Sequence, residues 1–299
     1  MDEGIWREQD GSPWRRELEA ELERACQWLA QDRQMGAGTL ARAAARELVK
    51  LVQLTEAVPW DEGLGVLCSA AERLRWTRPS MVALVNLLAD ATRVIEQVNG
   101  ARAAIDQISD LMAKSEAAET QVSMQAAARI TSGSRIMTIS YSGTVLRTLL
   151  AAASKIARVY VCEGRPLMEG RQLAQRLYAE GVAVTLLTDA QAFLTMPQVD
   201  AVLLGADAVL SNGSALNKVG SAQLALAARQ CRKRVWVAAE QLKFVRAGSP
   251  VPVVLESQPA TEVWAAAPDG LEVVNVYFEI VPGELIDEVI SEEGRVGVG

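Results

Sequence analysis

The sequence predicts an α/β protein in which an N-terminal helical domain, residues 1–128, precedes a domain built on a parallel, doubly wound sheet, residues 129–299. Three observations predict it. Up to about residue 129, apolar residues recur at helical spacing. From about residue 135, short β-branched runs alternate with helical runs. Polar residues capable of chemistry gather where the short runs end, and that is where open α/β sheets bind their ligands.

In the first part, Trp14, Leu18, Leu22, Ala25 and Leu29 mark one helix, and Leu40, Ala44, Leu48 and Leu51 a second. Met81, Leu84, Val85, Leu88 and Ile95 mark another, opened by Pro79. Residues 99–129 lack proline and predict a connecting helix, which places the domain boundary near residue 128. The predicted strands are 135–139, 158–161, 183–187, 201–204, 234–237 and 272–275. Helices are predicted between most of them, at 144–153, 169–180, 189–195 and 221–232.

Composition excludes several chemistries. The chain has 299 residues, half of them apolar, and can bury a large core. Its net charge of −7 argues against direct nucleic-acid binding or an anionic membrane surface. No apolar run spans a bilayer, and Met1–Glu8 are charged without a signal-peptide core, so a cytoplasmic protein is expected. Cys26, Cys68, Cys162 and Cys231 are widely spaced and read as free thiols, with no metal site and no cofactor implied. There is no histidine, which removes histidine-based triads and histidine-ligated metals.

The most informative stretch is 205–221. It follows the buried run Asp200–Leu204 and carries Asp207, an Asn212-Gly213 turn, then Asn217 and Lys218 before a helical run. With Asn217 and Lys218 at a helix start, it reads as the floor of an anion site, since helix N-termini favour anions. Asp207 can move protons, hold sugar hydroxyls, or simply cap a turn. Ser140-Tyr141-Ser142-Gly143 ends the first strand and either holds a phosphate or N-caps a helix. Arg165 and Arg171 follow the second strand, in a phosphate-matching or merely solvated loop. Glu240 and Lys243 follow the fifth, as site residues or surface charges. In the helical part, Gly36-Ala37-Gly38 permits close backbone approach, and Arg78 stands beside Pro79; a helix turn and a structural ion pair are the plain alternatives.

These residues carry a resemblance. From about Gln34 to Glu293 the chain resembles the family that unites ribose-1,5-bisphosphate isomerase, methylthioribose-1-phosphate isomerase and the alpha, beta and delta subunits of translation initiation factor 2B. The carriers are Gly205-Ala206-Asp207, Asn212-Gly213 and Asn217-Lys218-Val219-Gly220, with Gly36-Ala37-Gly38, Arg78-Pro79, Arg165-Pro166, Gly170-Arg171 and Ala239-Glu240 through Lys243-Phe244 in matching order. The resemblance implies a helical domain followed by a Rossmann-like one, and a homodimer or higher homo-oligomer.

It also implies site roles. In the family's isomerases a cysteine after the first Rossmann strand and the aspartate of Gly-Ala-Asp convert a 1-phosphorylated aldose to a ketose. Asp207 matches the aspartate; Ser140 stands where the cysteine is expected, and Met35 where the bisphosphate isomerases have arginine. Gly36, Ala37, Gly38, Arg78, Ser142, Arg165, Asn217, Lys218 and Lys243 match expected ligand contacts. A protein that binds phosphorylated ribose or a nucleotide is therefore expected first. An active aldose–ketose isomerase is the alternative, and an initiation-factor-like interaction subunit the third.

Overall fold

The structure, a computed structural model, describes residues 12–32, 35–248 and 255–296. The expectation about Met1–Glu8 lies outside them. The chain divides into two compact units between Ala117 and Ala118.

The first unit is helical: α1 (Pro13–Gln31), α2 (Ala37–Gln53), α3 (Trp60–Trp76), α4 (Val82–Gln97) and the first part of α5 (Ala101–Arg129). Pro13 opens α1, whose buried stripe is Leu18, Leu22, Ala25 and Leu29. The small residues Ala41, Ala44 and Ala45 bury one side of α2. Its Arg42 is also buried and donates to Ser115 Oγ at 3.3 Å. Helix α3 was not marked by periodicity, because Gly63 and Gly65 dilute its apolar stripe. Charge orients it instead, with Asp61 and Glu62 in the first turn and Arg73 and Arg75 in the last. Pro79 stands in the turn before α4, two residues ahead of the capping residue Met81, rather than inside the helix.

The second unit holds a seven-stranded sheet in the order β3-β2-β1-β4-β7-β9-β10. Its strands are β1 (Ser134–Ile139), β2 (Ile156–Cys162), β3 (Val184–Leu187), β4 (Ala201–Leu204), β7 (Arg234–Ala238), β9 (Glu288–Ser291) and β10 (Gly294–Val296). All neighbours pair in parallel except β10, which returns antiparallel to β9. Helices α6 (Gly143–Ala151), α7 (Gly170–Ala179), α8 (Ala192–Thr195) and α9 (Ser221–Gln230) fill the crossovers. Alternation along β4 explains why both faces are covered. Val202 and Leu204 join one core with Leu224 and Ala228 of α9. Ala201 and Leu203 join the other with Leu149 of α6 and Leu173 and Leu177 of α7.

Two expectations are corrected. Residues 272–275 form no strand: Val274 is exposed and Asn275 instead donates to the Pro259 carbonyl at 2.8 Å and to Glu262 at 2.9 Å. Tertiary context overrides β propensity there. Asn217 and Lys218 are not at a helix start but end a strand. The Asn212-Gly213 turn closes a hairpin of β5 (Ala208–Val209) and β6 (Ala215–Lys218), and β8 (Phe278–Val281) completes a three-stranded antiparallel sheet.

Candidate functional site

The order of the large sheet fixes where a ligand fits. From β1 the chain moves to β2 and β3 on one side, then returns to build β4, β7 and β9 on the other. The crossovers after β1 and β4 therefore run to opposite sides of the sheet, and such a switch point, at the strands' carboxyl ends, is where open α/β sheets bind their ligands. Ser140 follows β1 and Gly205-Ala206-Asp207 follows β4, so the sheet brings the two expected catalytic residues to one edge.

Ser140 is buried and left-handed, with φ 61°, and its amide donates to the Cys162 carbonyl at 3.1 Å. The loop after β2 runs against it. A Cβ on Gly164 would stand 3.0 Å from Ser140 Cα and Cβ, so glycine is needed there. Asp189 pins that loop by accepting from the amides of Gly164 and Arg165, each at 2.8 Å. Ser142 N-caps α6, accepting from the Val145 amide at 3.3 Å. A Cβ on Gly205 would lie 2.6 Å from Ser142 Oγ, so the β1 and β4 loops are in close contact.

Asp207 is half-buried and its amide donates to the Leu216 carbonyl at 2.8 Å. Beyond β7, Glu240 and Lys243 are 1% and 5% exposed, which removes the surface-charge alternative for both. Lys243 Nζ lies 3.3 Å from Glu240 Oε2. Burial alone would push the Lys243 ammonium down, and it is the largest single influence. The carboxylates of Glu240, Asp207 and Glu119 outweigh it and hold the group above the ordinary lysine value. Glu119 comes from the C-terminal part of α5, is itself buried, and faces Arg147 Nη1 at 3.4 Å.

Asn217 and Lys218 are engaged within the protein. Asn217 Nδ2 donates to Ser221 Oγ at 2.8 Å, and Ser221 Oγ donates to the Lys218 carbonyl at 2.6 Å. Lys218 Nζ donates to Glu169 Oε1 at 2.8 Å and stands 5.0 Å from the Tyr277 ring centre. The expected anion site at the start of α9 is filled from within. Glu279 Oε1 accepts from the amides of Gly220 at 2.7 Å and Ala222 at 2.8 Å. The positive end of that helix already has its anion, so this part of the 205–221 expectation is corrected.

The remaining expected contacts lie apart in sequence. Arg165 is exposed and donates to the Val263 carbonyl at 3.1 Å. Within the helical unit, exposed Gly36 caps α2, while Ala37 and Gly38 are buried in its first turn. Arg78 Nη1 donates to the Asp32 carbonyl at 2.9 Å, at the C-terminal end of α1. Sequence reasoning missed Glu119, Asp189, Glu169 and Glu279. Each meets its partner only through long-range folding, and no local motif marks any of them.

Cys162 cannot stand in for a thiol at position 140. It is fully buried at the end of β2, and burial, aided by the charge of Asp189, pushes its thiol up to about 12. Among the described residues no three acidic or thiol side chains converge as metal ligands, and no helix is long and apolar enough to cross a membrane.

Residues 33–297 match the model of the initiation factor 2 subunit family. The chain belongs to that family. Among relatives, it is 33% identical over 275 residues to the ribose 1,5-bisphosphate isomerase of Archaeoglobus fulgidus, covering 87% of this chain and 85% of the relative. It is 32% identical over 285 residues to the methylthioribose-1-phosphate isomerase of Bacillus pumilus, covering 87% of this chain and 80% of the relative. The translation initiation factor eIF-2B of Pyrococcus horikoshii OT3 matches with a TM-score of 0.77 at 27% identity, over 92% of this chain and 96% of that one. Sugar-phosphate isomerases and initiation-factor subunits thus share this fold, a helical N-terminal region followed by a mostly parallel sheet.

Proposed function

We propose that this family member binds a phosphorylated ribose, free or as part of a nucleotide, in the crevice between the β1 and β4 loops. The observation that carries the reading is the buried Lys243 within electrostatic range of Asp207 at the switch point of the sheet. A carboxylate accepts hydrogen bonds from sugar hydroxyls, and a buried ammonium opposes the charge of a phosphate or a developing alkoxide. Ser140 follows β1 at the same switch point. Arg165 is proposed to extend the ligand shell, and the chain is proposed to work as a homodimer or higher homo-oligomer in the cytoplasm. Two relatives are named for isomerising a phosphorylated ribose.

The retained Asp207 and Lys243 favour a second reading, an active aldose–ketose isomerase. Converting a cyclic 1-phosphorylated aldose to its ketose breaks the bond from C1 to the ring oxygen, which takes a proton. The C2 hydrogen moves to C1, and the C2 hydroxyl loses its proton. One acid and one base are required. Asp207 fills one role. The chain has no histidine, and position 140 carries a hydroxyl, so the second role is weakly served.

Calorimetric titration with ribose 1,5-bisphosphate, methylthioribose 1-phosphate and AMP, paired with phosphorus NMR of turnover, tests both readings. One phosphorylated ribose or nucleotide should bind, and Asp207→Asn and Lys243→Met should each weaken it roughly tenfold or more. No heat with any of the three compounds removes the binding reading. Turnover that is equal in wild type and Asp207→Asn removes the isomerase.

A further inference from the structure

Lys243 sits in an unusual setting for a ligand-binding lysine. Its ammonium is almost fully buried, as are Glu240 and Glu119. The three acids that face it come from separate places: Glu240 from its own loop after β7, Asp207 from the segment after β4, and Glu119 from α5. Glu119 shares its charge with Arg147, and Glu240 is in turn faced by Glu292, whose carboxylate accepts from the Gln241 amide at 2.9 Å. Glu240 Oε2 accepts no well-aligned hydrogen bond, so its compensation in the interior is the Lys243 charge 3.3 Å away. A buried carboxylate held this way would be costly unless the pair acts as a unit.

The backbone completes the unit. Residues Gln241–Lys243 form one tight turn, in which the Lys243 amide donates to the Glu240 carbonyl at 2.9 Å. The carboxylate and the ammonium are therefore fixed three residues apart at the end of β7. A lysine stem has several free torsions, and a single neighbouring acid at Asp207 would leave its position loosely defined.

We propose that Glu240, assisted by Glu119, is a positioning residue that holds the Lys243 ammonium charged and aimed at the crevice beside Asp207. It does so without touching the ligand. The inference rests on the proposed phosphorylated-ribose site, and it adds two acids to that site whose role is to keep one cation in place.

Two measurements test this role: the first separates it from a merely structural one, and the second tests whether the pair acts as a unit. The first is the affinity for ribose 1,5-bisphosphate against pH. Wild type should hold a flat affinity up to about pH 9.5, because the three acids keep Lys243 protonated. Glu240→Gln should bind roughly tenfold more weakly near neutral pH and should begin to lose further affinity at a lower pH than wild type, because one of the acids that hold the proton on Lys243 is gone. Glu240→Asp should restore the flat profile. Glu119→Gln should move in the same direction by less, because Arg147 shares that carboxylate. A uniform loss at every pH in Glu240→Gln would overturn the proposal.

The second measurement needs no ligand. In a double-mutant cycle followed by urea unfolding, Glu240→Gln should shift the midpoint far less in the Lys243→Met background than in wild type. Equal shifts in both backgrounds would overturn the proposal. Strong coupling in the cycle, with no ligand bound by wild type, would sustain the positioning role and remove the proposed ligand instead.

Discussion

Ser140 holds a backbone conformation that costs a non-glycine residue about 1 kcal/mol, at the carboxyl end of β1. The contact with Gly164 and the hydrogen bond to the Cys162 carbonyl over-determine it. The geometry that would present a thiol is therefore in place with a hydroxyl on it. A thiol ionises within reach of neutral pH, whereas a hydroxyl needs a strong base beside it. On the reading proposed above, Ser140→Cys should raise turnover of ribose 1,5-bisphosphate by roughly 10²-fold, the scale of one acid–base group. Phosphorus NMR gives the rate. If the variant binds as tightly as wild type and turns over no faster, the missing thiol is not what limits the chemistry. Much of this was legible in the sequence, since Ser140 and Asp207 each follow an apolar run and their types restrict their chemistry. The burial of Glu240 and the approach of Glu119 were not. A glutamate in a proline-free helix carries no local mark of the lysine that folding will place beside it.

At the scale of elements, β1 to β4 and β7 were readable because each carries an apolar run and the central strands are buried on both faces, whereas β9 (Glu288–Ser291) and β10 (Gly294–Val296) were not, because polar residues and a glycine break their short runs. The hairpin of β5 and β6 was not readable either, because β5 has only two residues and the other partner of β6, strand β8, lies about sixty residues later. That long-range pairing decides the fate of α9. Register places Glu279 opposite Asn217, from where its carboxylate reaches the first amides of the helix. An anion site that local sequence advertises is thus closed by a residue from a distant strand. Glu279→Gln keeps the shape and removes the charge, and should cost about 1 kcal/mol of stability. Urea unfolding at low salt reads the loss, which should shrink as salt screens the helix end. A stability equal to wild type at low salt would mean that the cap is a shape contact and not an electrostatic one.

For the whole molecule, the absence of histidine makes the pH dependence of stability unusually simple. Nothing with an ordinary pKa near 6.5 changes charge on unfolding, so stability should be flat from about pH 6.5 to 8. On the acid side two groups oppose each other. Hydrogen bonds from Arg135 lower the Asp200 carboxyl, whose contribution is lost as pH falls through its folded value. Burial raises the Glu292 carboxyl, whose contribution is lost as pH rises through its folded value. The alkaline side has one sign. Cys162 keeps its proton to about 12 in the fold but releases it near 9 when unfolded. Its contribution is therefore complete below about pH 9 and disappears as pH rises toward about 12, at up to about 1.4 kcal/mol per pH unit. The half-buried thiols of Cys26 and Cys68 are raised by burial too and add smaller losses of the same sign. Lys243 is raised above the ordinary lysine value of 10.5, so its contribution is complete below about pH 10.5 and is lost as pH rises further through its folded value, with the same sign as the thiols. Urea unfolding at about pH 7.5, 9 and 10.5 should give a plateau followed by a steep fall. Cys162→Ala should lower the plateau through the cavity it leaves and flatten the fall. Parallel slopes in the two proteins would show that the buried thiol at the end of β2 does not set the alkaline limit.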